Sequence, residues 1–120
     1  MAVQLEKERV MHEKRKGLVE DFKQKGNLAM KRGDLVAART FYSEALEVPE
    51  VPEQVRAALL GNRTACLLAM KESQLALEDA EAALELVPNW VKGHFRVGCA
   101  KEAVGDTAGA LEADRAGPEL

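Results

Sequence analysis

The chain overlays on itself when shifted by 34 residues. From residue 57 onward, that shift sets Thr64 on Gly98, Lys71 on Gly105, Glu72 on Asp106 and Ala76 on Ala110. The preceding stretch needs a shift of 38. Gly26 then falls on Thr64, Gly33 on Lys71, Asp34 on Glu72, Ala38 on Ala76, Tyr42 on Ala80 and Ala45 on Ala83. The four extra residues fit in Glu47–Gln54, where two prolines break any helix. Self-similarity at this period marks a chain of stacked units, because one unit of this size cannot bury its own apolar face.

Each unit reads as two helices around a short turn. Of 120 residues, 19 are Ala, 15 Leu and 15 Glu, all strong helix formers. There is no Ile and there are only three Thr, too few β-branched residues beside the valines for a sheet. The spacing predicts helices over Phe22–Arg32 and Leu35–Val48 around a Gly33-Asp34 turn. It predicts Glu53–Met70 and Ser73–Val87 next, with Ser73 as N-cap and Pro88 closing the pair. Asn89–Val104 and Thr107–Ala116 follow around Gly105-Asp106. Gly supplies a permissive backbone at each turn and Asp can cap the following helix. Small residues (Ala38, Ala45, Ala76, Ala83) recur where two helices must approach closely.

A charged helical lead-in, Leu5–Glu20, precedes the first unit, interrupted only by Gly17 and able to run on into it. The expected division is a lead-in over residues 1–18 and a repeat domain over 19–120, with repeats at about 19–52, 57–90 and 91–120. The third repeat is atypical. Lys101, Asp114 and Gly117 stand where packing residues are expected, and no capping helix follows. Its apolar face therefore needs cover from another chain or segment, or the sequence is a fragment.

Several function classes are disfavoured. No apolar run approaches the length of a membrane span, and the N-terminus is charged throughout, without the apolar core of a secretion signal. Cys66 and Cys99 make no disulfide framework and read as small buried side chains in a reducing compartment, the cytoplasm or the nucleus. His12 and His94 lie in no metal-binding spacing, and no cofactor is implied. The net charge of −3 and the pI near 5.5 argue against general nucleic-acid binding. No nucleophile–base pair and no phosphate loop is present, so a binding module is expected and an enzyme is not.

A stack of helix pairs has a concave groove lined by the first helix of each pair. Lys23 and Asn27 are four apart, as are Lys92 and Arg96, so each pair shares a helical face. Asn62 and Arg96 are 34 apart and occupy equivalent positions on successive units. Ala58, Ala65 and Leu68 share the Asn62 face, and Phe95 and Cys99 accompany Arg96. Two amides, two ammonium groups and a guanidinium thus converge without an interleaved carboxylate, an arrangement suited to an anion.

The order Gly26, Gly33-Asp34, Ala38, Tyr42, Ala45, then Ala76, Ala80, Ala83 and Pro88, resembles tetratricopeptide repeats over about residues 19–117. The fold implied is all-α, three helix-turn-helix repeats in a right-handed superhelical solenoid. The segments Lys23–Asn27, Gly61–Arg63 and Lys92–Arg96 are similar to the two-carboxylate clamp of co-chaperone tetratricopeptide domains. The resemblance implies that Lys23, Asn27, Asn62 and Lys92 hold the terminal carboxylate and Asp side chain of a Glu-Glu-Val-Asp tail. Such a tail belongs to heat-shock protein 90 or 70. Arg96 would hold a group further back along it. Phe95, Cys99, Ala65 and Leu68 are candidates for the groove wall. Phe95 reads equally as groove wall or as ordinary packing. Trp90 reads as an anchor between repeats, His94 as structural, and Lys14-Arg15-Lys16 as a solvated face.

Overall fold

The computed structural model describes the backbone of residues 2–116 and the side chains of residues 2–105. Five helices are present among these residues: α1 (Ala2–Arg32), α2 (Leu35–Glu47), α3 (Glu53–Ala69), α4 (Ser73–Leu86) and α5 (Val91–Ala116). The architecture is an all-α solenoid, 66 × 31 × 18 Å. Each helix packs on the next in sequence, and α3 also touches α5. The lead-in and the first helix of the first unit are one continuous α1, through Gly17.

The two short turns share one mechanism. At the end of α1, Gly33 takes φ 77°, the Asp34 N–H donates to the Ala29 carbonyl at 2.9 Å, and the Gly33 N–H to Met30 at 3.0 Å. At the end of α3, Lys71 takes φ 66°, Glu72 donates to Leu67 at 2.9 Å and Lys71 to Leu68 at 3.1 Å. Both are left-handed caps that satisfy the last carbonyls of a helix. The repeat shift that sets Gly33 on Lys71 therefore matches backbone conformation even though the residue types differ. Asp34 then caps α2, its carboxylate accepting from the Ala37 N–H at 3.2 Å. Ser73, expected as an N-cap, is instead the first residue of α4, with Glu72 in the cap position. The cap therefore falls one residue after the left-handed position in both units, on Asp34 and on Glu72.

The third turn departs from expectation. Gly105-Asp106 lies inside α5, which runs without a break from Val91 to Ala116. Thr107–Ala116 carries a single large apolar residue, Leu111, so a returning helix could bury little. One glycine inside a helix costs only about 1 kcal/mol relative to Ala. With so little burial to gain, the alanine-rich sequence continues as helix.

The core follows the repeat. Ala38, Ala45, Ala76, Ala80 and Ala83 are at most 1% exposed, which sets how near the helix pairs approach. Ala38, Ala45 and Ala83 join Val19, Tyr42, Leu59, Leu60 and Cys66 in the main cluster, and Ala76 lies in a smaller one with Leu67 and Ala100. Tyr42 lies so tightly across α1 that a Cβ at Gly26 would come within 2.6 Å of its ring. Trp90 closes over α3 in the same way, its tip 2.9 Å from where a Cβ of Gly61 would stand. This is the anchoring role expected of Trp90. No helix among the described residues is long and apolar enough to cross a membrane.

Candidate functional site

The side chains singled out in the sequence lie on α1, α3 and α5, the first helix of each unit. On α3, Ala58, Asn62 and Ala65 form a half-buried line at spacings of four and three. Ala57, Leu60, Gly61, Thr64 and Leu67 beside it are buried. On α5, Arg96 and Cys99 are half-buried, Lys92 is exposed, and Gly93 and Ala100 are buried beneath them. On α1, Lys23 is half-buried and Asn27 exposed above buried Gly26. These lines border the packed faces of their helices.

Asn27 is oriented by a neighbour. The Tyr42 hydroxyl donates to Asn27 Oδ1 at 2.6 Å. The amide carbonyl is thereby occupied, and the NH2 is the group left to donate outward. Tyr42 is only 2% exposed, and burial raises its pKa above the ordinary value, with Cys66 adding to the shift. The phenol therefore remains a donor across the neutral range.

Asn62 is placed by two contacts on either side of it. Gly61 receives the Trp90 ring, which brings the start of α5, and Lys92 with it, against α3. Arg63 reaches back to two other helices. Its Nε and Nη2 donate to the Asp79 carboxylate at 2.6 and 2.8 Å, and its Nη1 donates to Ser43 Oγ at 3.0 Å. The Asp79 hydrogen bonds push the Arg63 guanidinium upward in pKa, against the opposing effect of burial. Ser43 follows Tyr42 in α2, so two adjacent residues of that helix hold Asn27 of α1 and Arg63 of α3 by separate hydrogen bonds. Tyr42 is the acceptor's partner on one side and Arg63 the fork on the other.

The cations differ in what they meet. Lys23 Nζ lies 4.0 Å from Glu20, the loosest ion pair in the structure's described residues. Lys92 and Arg96 have no acidic partner among the described residues. Arg96 Nε is buried and lacks any hydrogen-bond partner, the one side-chain nitrogen or oxygen of that kind among them. An unsatisfied buried donor costs about 1–3 kcal/mol, more when charged, and so marks a place where an acceptor is wanted. No hydrogen bond or ion pair joins any two of Lys23, Asn27, Asn62, Lys92 and Arg96 among the described residues.

Of the proposed wall residues, Ala65, Leu68 and Cys99 are half-buried, and Leu68 also packs against the small cluster of Leu67, Ala76 and Ala100. Phe95 is 66% exposed, so it is not a packing residue of this chain. His94 Nε2 sits 2.8 Å from the Pro88 carbonyl, consistent with a structural role at the α5 N-terminus. Arg15, in the run expected to be a solvated face, pairs with Glu50 of the α2–α3 connection. Sequence reasoning placed Tyr42 and Arg63 within motifs but did not assign them their positioning contacts. Tyr42–Asn27 spans 15 residues and Arg63–Asp79 spans 16, separations at which only a turn-and-return fold brings side chains together.

The fold defines a helical-repeat protein, with the candidate side chains carried on α1, α3 and α5. No protein-family model matches the chain. It is similar to Heat shock protein STI1 of Saccharomyces cerevisiae, 37% identical over 87 residues, covering 72% of this chain and 14% of that protein. It is similar to Small glutamine-rich tetratricopeptide repeat-containing protein 2 of the same yeast, 39% identical over 98 residues, 82% of this chain and 27% of that protein. Hsp70-Hsp90 organizing protein of Triticum aestivum is 34% identical over 103 residues, 86% of this chain and 17% of that protein. The chain thus spans about a quarter or less of the length of these relatives. The likeness, with the helix-pair stack, supports a tetratricopeptide domain of the kind found in co-chaperones.

Proposed function

We propose that this chain is a protein-docking module that holds the C-terminal carboxylates of an extended acidic tail. The tail class that fits is Glu-Glu-Val-Asp, at the end of heat-shock protein 90 or 70. The observation that carries the reading is the buried, unpartnered Arg96 Nε beside Lys92, on the helix whose start Trp90 packs against Gly61, the residue before Asn62. The names of the relatives, an Hsp70-Hsp90 organizing protein among them, support a chaperone as the partner.

In this reading the division of labour follows from the side chains. Lys23 and Lys92 supply point charge, Asn27 and Asn62 supply directed NH2 donors, and the Arg96 fork takes a carboxylate or carbonyl oxygen. Phe95, Cys99, Ala65 and Leu68 offer apolar surface beside the polar set. Several charge-assisted bonds, offset by the cost of ordering a flexible tail, give a dissociation constant on the order of micromolar, roughly −8 kcal/mol. The groove is open, so affinity falls as salt rises. The module binds and does not catalyse, needs no cofactor, and works in the cytoplasm or nucleus, where such chaperones would be met.

The test is titration of a Glu-Glu-Val-Asp peptide into the wild type and into Lys92→Ala, Arg96→Ala and the control Lys31→Ala. Loss in the first two with retention in the control supports the clamp. Equal affinity in all four contradicts it and favours a helical scaffold that recruits partners by another face.

A further inference from the structure

A cavity of about 240 Å³ lies away from the five clamp positions, between α1 and the α2–α3 connection. The α2–α3 connection that walls it, residues 48–52, is one residue longer than the α4–α5 connection, residues 87–90. Val19 of α1, Pro49, Val51 and Pro52 of the connection, and Val55 of α3 form apolar walls. His12 and Lys16 stand at its rim on α1. Arg15 and Glu50 also line it but are engaged with one another, so their charges offset. Glu20 is turned down the helix, accepting from Gln24 at 3.3 Å and facing Lys23. The rim charge left unopposed is the Lys16 ammonium.

We propose that this cavity is a second peptide-docking site, taking one bulky aliphatic or aromatic side chain from an acidic segment. The size sets the occupant. Pockets for whole small-molecule ligands run about 300–1,000 Å³, and this one is smaller, suited to a single inserted side chain. The charge sets its flanks, because apolar walls beside the one unpaired ammonium, Lys16, favour an apolar residue with a carboxylate next to it. Position adds a third argument. His12, Lys16, Val19, Lys23 and Asn27 are spaced four, three, four and four apart, so they form one stripe along α1. Lys16 and Lys23 are then about 10 Å apart along the axis. A partner lying along that stripe would meet the cavity without leaving the face that carries Lys23. Glu50 holds a left-handed φ of 62° while paired to Arg15, which fixes the connection as the outer wall.

The inference does not depend on the carboxylate clamp, and the test separates them. The probe is acetyl-Asp-Glu-Leu-Glu-Asp-amide, which has no free C-terminal carboxylate, titrated into the isotope-labelled full chain and followed by amide shifts. Saturable shifts clustered at Lys16, Val19, Val51 and Val55 are expected. Replacing the peptide Leu by Ala should weaken binding about fivefold, and Lys16→Glu about tenfold. Val55→Ala, at a partly exposed wall position, should weaken it as well, and Lys92→Ala should leave it unchanged. The proposal is overturned if millimolar probe moves none of those amides. It is equally overturned if a lysine-flanked peptide binds as well, if Lys16→Glu and Val55→Ala have no effect, or if Lys92→Ala abolishes the shifts. A wild type that binds Glu-Glu-Val-Asp but not this probe refutes the second site and leaves the clamp standing.

Discussion

Tyr42→Phe removes one hydroxyl and keeps the ring that fills the space over Gly26. Its effect can be worked out in two parts. The lost bond to Asn27 Oδ1, 2.6 Å long, joins a buried phenol to an exposed amide that water can serve instead. The stability cost is therefore that of one ordinary hydrogen bond, about 1 kcal/mol. The effect on peptide binding is separate. With the hydroxyl present, the Asn27 carbonyl is occupied and its NH2 is directed outward. Without it, the amide samples both flips and other rotamers. Restoring one orientation on binding then costs about 0.5–1 kcal/mol, a two- to fivefold weaker dissociation constant. Asn27→Ala, which removes the donor altogether, sets the ceiling at about 1.5–3 kcal/mol if the acceptor is a carboxylate. Calorimetric titration with a Glu-Glu-Val-Asp peptide, at a temperature where both variants are folded, measures both. If Tyr42→Phe binds like the wild type while Asn27→Ala does not, Tyr42 does not orient the amide. If neither changes affinity, Asn27 is outside the site.

The remaining expectations concern the scaffold. Gly61→Ala drives a methyl into the Trp90 ring, 2.9 Å from its tip. A net loss of about 1–2 kcal/mol is expected by thermal or urea unfolding, despite the better helix propensity of Ala. Lys71→Gly relieves a left-handed φ of 66° at an exposed turn. It should raise stability by about 0.5–1 kcal/mol in the same assay, and a loss would show that Lys71 is not strained. Arg63→Ala strands the Asp79 carboxylate, whose side chain is only 12% exposed. About 3 kcal/mol should be lost, and Arg63→Ala with Asp79→Ala together should recover part of it. Burial raises both the Tyr42 phenol and, against a smaller opposing pull from Arg39, the Cys66 thiol. A raised folded-state pKa contributes stability that is whole below the unfolded value and lost as pH climbs through the folded one. Stability should therefore fall above about pH 9–10, less steeply in Tyr42→Phe than in wild type, and parallel pH profiles would contradict the assignment.

The sequence carried the helix pairs because their turns and small residues recur at fixed offsets. The close-approach alanines, the Asp34 cap and the Trp90 anchor are all local or periodic features, visible without coordinates. Lys71 shows the limit of residue type as a guide. It performs the turn that Gly33 performs, and only the repeat alignment points to it. Gly105-Asp106 shows the opposite case. The dipeptide has turn chemistry, yet the helix runs through it, because a turn also needs a second helix with enough apolar surface to fold back. Within the candidate site, spacing on the helices singled out the five polar side chains as candidates. What spacing could not supply was their support. The hydroxyl on Asn27 and the fork of Arg63 onto Asp79 and Ser43 join residues 15 to 20 apart across helices. Nor could it show that Phe95 stands in solvent rather than in the core.

The central claim is that the groove recognises a free terminal carboxylate. Calorimetric titration of the wild type with a peptide ending in Glu-Glu-Val-Asp, beside its C-terminally amidated twin, tests it most directly. Micromolar binding of the acid that weakens as salt rises is expected, with at least a tenfold loss, about 1.4 kcal/mol, for the amide. Equal binding of the two peptides, or no binding of the acid by the folded chain, would contradict it.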